Sequence, residues 1–179
     1  MKYAIALTLT AALMGSAQAA TFQAVVPEKS GITFSYKQMG VAMDGKFKKF
    51  SAQVGLDTAK PDKAKGNIEI DLASIDTGSS EADQEVVGKS WFNVAAHPKA
   101  SFVLKSLKPV GANQYEAIGQ LTLKGQTREL HAPLKLSPQG QLTGSFVLKR
   151  ADYGIGEGMW AKFDVVANEI TVNFNLNLK

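Results

Sequence analysis

The chain contains no cysteine in its 179 residues. That excludes disulfides, thiol nucleophiles, cysteine-based zinc or iron–sulfur sites, and covalent c-type haem, which needs Cys-x-x-Cys-His. Histidine is nearly as scarce. His97 lies beside Pro98, His131 falls on the polar parity of its strand, and neither has a partner at metal-ligand spacing, so both read as surface residues. Nothing resembles Gly-x-Ser-x-Gly or His-Glu-x-x-His, and the acids Asp76, Asp83 and Glu85 are explained as helix-start residues. No set of acid, base and nucleophile can be assembled, so a non-enzyme without cofactor or metal is expected. An excess of one charge is also missing. Lysine and arginine number 20 against 16 acids, a formal net charge of +4. Most lysines stand singly (Lys105, Lys124, Lys135, Lys149), a solvated face instead of a nucleic-acid footprint. In the one tight basic group, Lys46-Phe47-Lys48-Lys49-Phe50, exposed lysines flank two core phenylalanines.

Long apolar runs are absent except at the start. Met1-Lys2-Tyr3 supplies a positive segment, Ala4 to Met14 an apolar one, and Ala17-Gln18-Ala19 a small-residue cleavage site. The run is shorter than the ~20 residues that span a bilayer. Residues 1–19 therefore read as a signal peptide and residues 20–179 as one exported, periplasmic domain.

What is present is alternation. Ile32, Phe34 and Tyr36 share a face against Thr33, Ser35 and Lys37. Phe47 and Phe50 fall out of phase while Phe50, Ala52, Val54 and Leu56 stay in phase, so an extra residue near Lys48-Lys49 fits a β-bulge at a barrel corner. Ile68, Ile70 and Leu72 alternate, as do Phe102 with Leu104, then Tyr115 through Leu123, Leu130 through Leu136, Leu142 through Leu148, and Ile170 through Leu178. Turns are expected at Pro109–Asn113, Lys124–Thr127 and Pro138–Gly140. The pattern predicts about eight strands with one apolar face each, which suits a sandwich or a closed barrel. Tight sequential turns, and Gly119 and Gly144 as places to bend, favour an up-and-down barrel. An outer-membrane barrel has the same period, but aromatic girdles and a terminal aromatic are missing.

One insert breaks the β pattern. Asp76-Thr77-Gly78-Ser79-Ser80 predicts a helix start with Ser80 as N-cap, the helix runs to Val87, and Gly88 is placed to close it in the left-handed conformation. Trp91-Phe92 and Ala95-Ala96-His97-Pro98 follow. The helix offers only Ala82, Val86 and Val87 as apolar anchors, so Thr77–Pro98 reads as a lid with Trp91 and Phe92 as its heavier contacts.

Several short motifs occur in a fixed order: Phe34 through Gly40 followed by Gly45-Lys46-Phe47; Ala73-Ser74-Ile75-Asp76-Thr77-Gly78; Trp91-Phe92 with Pro98 through Phe102; Gly119 through Thr127; Arg150-Ala151-Asp152-Tyr153-Gly154-Ile155-Gly156; and Asn168-Glu169-Ile170. In these the mature chain resembles the YceI-like, polyisoprenoid-binding, lipocalin-like exported proteins of bacteria. The resemblance implies an all-β, eight-stranded antiparallel barrel, closed at one side by the helix and loop, holding a long isoprenoid or fatty chain. Many relatives carry a histidine where this chain has Gln38, and an Arg-Asp-x-His group where it reads Ala82-Asp83-Gln84-Glu85. Losing both basic partners points away from a pyrophosphate headgroup and toward a neutral lipid.

The expected ligand-binding residues are Phe34, Tyr36, Phe47, Phe50, Val54, Ile70, Trp91, Phe92, Phe102, Leu104, Leu121, Leu123, Leu134, Phe146, Trp160 and Phe174. A solid, ligand-free core is the alternative. A second function class is an interaction module, with Met39–Met43 and Gly156–Trp160 forming an apolar patch for a membrane redox or envelope protein. A homodimer through an open edge is compatible with the strands, which do not argue for one.

Overall fold

The structure, a computed structural model, describes residues 19–179. The signal-peptide reading lies almost wholly outside the described residues. Alternation does produce strands: β1 (Thr21–Phe22), β2 (Gly31–Gln38), β3 (Val41–Phe47), β4 (Phe50–Asp57), β5 (Lys65–Asp71), β6 (Ile75–Asp76), β7 (Lys99–Gly111), β8 (Gln114–Leu123), β9 (Gln126–Leu136), β10 (Gln141–Lys149) and β11 (Glu169–Asn177), with one helix, α1 (Ser80–Val86), in the insert. They form a single curled antiparallel sheet in the order β1-β4-β5-β7-β8-β9-β10-β11-β2-β3-β6.

The expected count of eight is corrected to eleven. Two of the additional strands, β1 and β6, are two-residue pieces. The third arises because β3 and β4 are halves of one stretch, separated only at Lys48-Lys49 where the phase slip falls. There the chain changes neighbours: β3 pairs with β2, and β4 pairs with β5. Extended backbone cannot serve both partners, so Ser74 takes up the loose groups. Its carbonyl accepts from Lys48 N at 3.0 Å, and its hydroxyl oxygen accepts from Lys49 N at 3.0 Å. The gaps beside the diverging halves are filled by β6 against β3 and by β1 against β4.

The turn at Lys124-Gly125 has positive φ at both residues, the type I′ geometry that matches strand twist. The turn expected at Pro109–Asn113 comes later than the sequence suggests, because β7 continues to Gly111 through a register shift beside Pro109. Proline lacks the donor a regular ladder needs, and an irregular position tolerates it.

The apolar parity points inward, and the interior divides into two ends. One is packed: Phe22, Leu56, Leu107, Tyr115, Leu134, Leu136, Leu142, Leu176 and Leu178 form one buried cluster. Residues 22–24 and 178–179 seal it. Gln23 N and Ala24 N donate to the Lys179 carbonyl, and Lys179 N donates back to Ala24. The other end is lined by Leu72, Trp91, Ala100, Leu121, Leu123, Tyr153, Ile155 and Val166, and the insert lies over it.

Candidate functional site

The second end is hollow. A cavity of about 510 Å³ occupies it, within the range of small-molecule sites. A smaller one of about 120 Å³ continues toward the packed end, and Ile70, Leu121, Phe146 and Val172 line both.

Cross-strand pairing explains how so many aromatic residues leave space. Phe34 is registered against Gly45, and Phe174 against Gly144. Each ring lies over the neighbouring glycine, as does that of Phe102 over Gly119, so closely that a Cβ there would collide with the ring. The rings therefore lie along the wall instead of crossing the lumen. The strand glycines read as bend points thus also serve as ring seats.

Ten of the sixteen expected binding residues line the large cavity: Phe34, Tyr36, Phe47, Ile70, Trp91, Phe92, Leu121, Leu123, Phe146 and Trp160. Val54, Phe102, Leu104, Leu134 and Phe174 line the smaller one. Phe50 lines neither and packs against the buried cluster, because it sits at the corner where β4 leaves β3. Sequence reasoning missed Leu72, Ile75, Ala100, Leu148, Val166 and Ile170 among the apolar wall. It also missed Arg150, although the inward parity of β10 (Leu142, Phe146, Leu148) continues directly to it.

Arg150 is 1% exposed, and its guanidinium faces no carboxylate within ion-pair distance among the described residues. Backbone carbonyls surround it instead. Nε donates to Ala167, Nη1 to Ile155 and Gly156, and Nη2 to Trp160, Lys162 and Val166, at 2.7–3.2 Å. All five N–H groups are committed. Burial pulls the pKa of Arg150 down from its ordinary value, but a guanidinium starts so high that it stays charged. The side chain fastens residues 155–167 into a fixed loop. Its guanidinium lies 5.4 Å from the centre of the Trp91 ring and 5.1 Å from that of Phe163.

The mouth is formed by the insert and this loop. Exposed cavity-lining residues mark the opening: Gln38, Ser79, Glu81 and Glu85. Helix α1 is capped one residue earlier than expected. Ser79, extended after the positive-φ Gly78, accepts from Ala82 N at 3.4 Å. Asp83 reaches back to Thr77, accepting from its N and its hydroxyl at 2.7 Å each. Those bonds, the backbone one foremost, hold the Asp83 carboxyl below its ordinary pKa. Burial, and then the charge of Asp83, push the Tyr36 phenol up. Gly88 does not adopt the left-handed conformation expected of it; Asn93 does, with φ of 50°. Glycine is needed at 88 for space, since a Cβ would lie 2.9 Å from the Glu85 carbonyl oxygen.

At its far end α1 is tied across the opening. Trp160 Nε1 donates to Glu85 Oε1 at 2.8 Å, and the Trp160 and Trp91 rings lie 5.4 Å apart. Trp91 Nε1 is buried and finds no acceptor among the described residues. Neither histidine lines the cavity. His131 sits on the outer wall between Glu116 and Glu129, at 3.3 and 3.1 Å, and His97 packs beside Gly125.

A curled antiparallel sheet with one plugged end and one apolar cavity opening under a short helix has the architecture of a small β-barrel, left partly open between its edge strands β1 and β6 instead of fully closed as expected. The chain belongs to the YceI-like domain family, whose model matches residues 23–178. It is similar to the crystal structure of BcnA from Burkholderia cenocepacia, with 36% identity, a TM-score of 0.82, and coverage of 85% of this chain and 98% of that one. A polyisoprenoid binding domain from Saccharophagus degradans, implicated in plant cell wall breakdown, shares the fold at 17% identity and a TM-score of 0.66, covering 88% of this chain and 97% of that one. A UPF0312 protein of Azotobacter vinelandii is 29% identical over 164 residues, 84% of this chain and 85% of that protein.

Proposed function

We propose that the protein is a non-catalytic periplasmic carrier that holds one long-chain isoprenoid or similar lipid with an uncharged head. The observation that carries this is the 510 Å³ cavity with its almost wholly apolar wall. Such a space left to water would be costly, and an apolar chain fills it favourably. The polyisoprenoid binding domain from Saccharophagus degradans, which shares the fold, supports an isoprenoid.

The head is argued from the charges around the cavity. Arg150 is the one cation among its described lining residues, and its donors are all taken by carbonyls. Glu81 and Glu85 stand at the opening, with Asp83 behind them at Thr77. Hydrogen bonds from its own backbone N–H and then from Ser79 hold Glu81 below its ordinary pKa, so it is charged at neutral pH. A phosphate or carboxylate head would meet like charge with no free cation among the described lining residues to neutralise it. A quinone, alcohol, ester or amide head meets no such penalty.

Mass spectrometry of an organic extract from protein purified out of its native compartment tests both parts. A neutral long-chain lipid at near-stoichiometric amount is the expected result. An empty barrel sinks the carrier, and a phosphorylated lipid sinks the argument on the head.

A further inference from the structure

One interior ring is placed differently from the rest. Phe34 and Phe174 are registered against glycines and lie along the wall, whereas Phe146 on β10 is registered against Val172 on β11. The branched side chain of valine occupies the seat that a glycine leaves open, so the Phe146 ring is turned toward the lumen. Two observations put it at the boundary between the ends of the barrel. Among the described residues, Phe146 alone packs against both buried clusters. It also lines both cavities, together with Ile70 of β5, Leu121 of β8 and Val172. Although it faces inward, Phe146 is only half-buried, because open space lies on both sides of it.

We propose that Phe146 is the floor of the lipid site and sets the length of chain that the barrel accepts, an inference that rests on the carrier reading and deepens it. At interior packing density an isoprene unit fills roughly 120 Å³. The upper cavity of about 510 Å³ then holds about four units, and the lower one of about 120 Å³ holds about one more. The lower wall is mostly aliphatic, with Val54, Leu104 and Leu134 in it, so it suits a chain end that reaches it. Phe146 stops the chain above that level. A longer chain leaves its surplus at the opening, beside Glu81 and Glu85, with methylenes in water. A much shorter one leaves part of the apolar wall without contacts.

The test is to equilibrate purified, delipidated protein with phosphatidylcholine vesicles that hold an equimolar mixture of prenyl alcohols of two to eight isoprene units. Mass spectrometry of the re-isolated protein then reads the preferred length. The natural chain should bind best at about four units, with occupancy falling about tenfold or more for each further unit. Phe146→Ala removes about 100 Å³ of side chain and joins the cavities, so its maximum should lie about one to two units higher. Adding Val54→Phe to that variant fills the lower cavity with a new ring and should bring the maximum back by about one unit. Phe146→Val, which removes less and suits a strand, should shift it in the same direction as alanine and serves if the alanine variant does not fold. An unmoved maximum in every folded variant, or a profile without a maximum, overturns the floor and leaves the carrier standing. No bound alcohol of any length in the natural chain rejects the carrier reading itself.

Discussion

The two ends of the barrel are built from the same strands and the same alternation, yet one is filled and the other is not. Leu56 is 3% exposed and Leu176 is 1% exposed at the packed end. Toward the mouth, Phe47 on β3, Phe146 and Leu148 on β10 and Ile170 on β11 point inward but remain only half-buried, because they face the cavity. Two differences account for this. At the packed end Phe22 of β1 and Leu178, just after β11, converge and meet over Gly140, which plugs the bottom. The mouth end receives α1 instead, whose only apolar residues on the cavity are Ala82 and Val86. Rings that would otherwise cross the lumen are also seated on glycines of the next strand. Filling therefore follows from what lies across the end of each strand, not from the hydrophobicity of the strand.

Identical substitutions at the two ends should expose the difference most strongly. Leu176→Ala should cost about 3–5 kcal/mol, since it opens a cavity in packed surroundings. Leu148→Ala should cost about 1 kcal/mol, because its side chain already borders empty space. Equal losses in urea denaturation would mean that the mouth end is as well packed as the other, and would end the comparison.

Arg150 is expected to come next. Arg150→Lys keeps the charge but offers three donors where six carbonyls now accept, so about 2–3 kcal/mol should be lost. Because Arg150 holds the loop that presents Trp160, the loss should come with faster hydrogen exchange in residues 155–167 and unchanged exchange in β8 and β9. Uniform acceleration across the barrel would show that Arg150 supports the whole fold and not the mouth.

The smallest effect concerns pH. Asp83 has a folded pKa below its unfolded one, so its bonds to Thr77 contribute fully above the unfolded value, about 3.9. That contribution is lost as pH falls through the lower folded value. Exchange in residues 79–90 should accelerate on acidification through that window, while the packed end stays protected. Asp83→Asn should remove the pH dependence. Exchange that is flat with pH in the natural chain would show that α1 is held elsewhere.

Much of the fold is legible in the residues. Period two marks the strands from Gly31 onward, and the phase slip between Phe47 and Phe50 locates the corner where β3 and β4 diverge. The site is legible only in part. Ile70, Phe146 and Leu121 declare themselves by inward parity, whereas Phe50 shares that parity and still lines no cavity. Arg150 carried two signals, its inward parity after Leu148 and the nearby Gly156, whose missing side chain leaves room for the guanidinium. A charged residue at the end of an apolar series is easily read as the start of a loop, which is how it escapes a pattern search.

Alternation within a strand is a local property, so the sequence by itself determined which side chains share a face, where most of the turns fall, and that one insert departs from the sheet. Whether the inward residues meet one another is not local. It depends on register, which sets Phe34 on Gly45 and Phe174 on Gly144, and on the approach of segments distant in the chain, Phe22 with Leu178 at one end and Glu85 with Trp160 at the other. Only the tertiary structure brings those groups together, and so it alone decided that the barrel is solid below and hollow above.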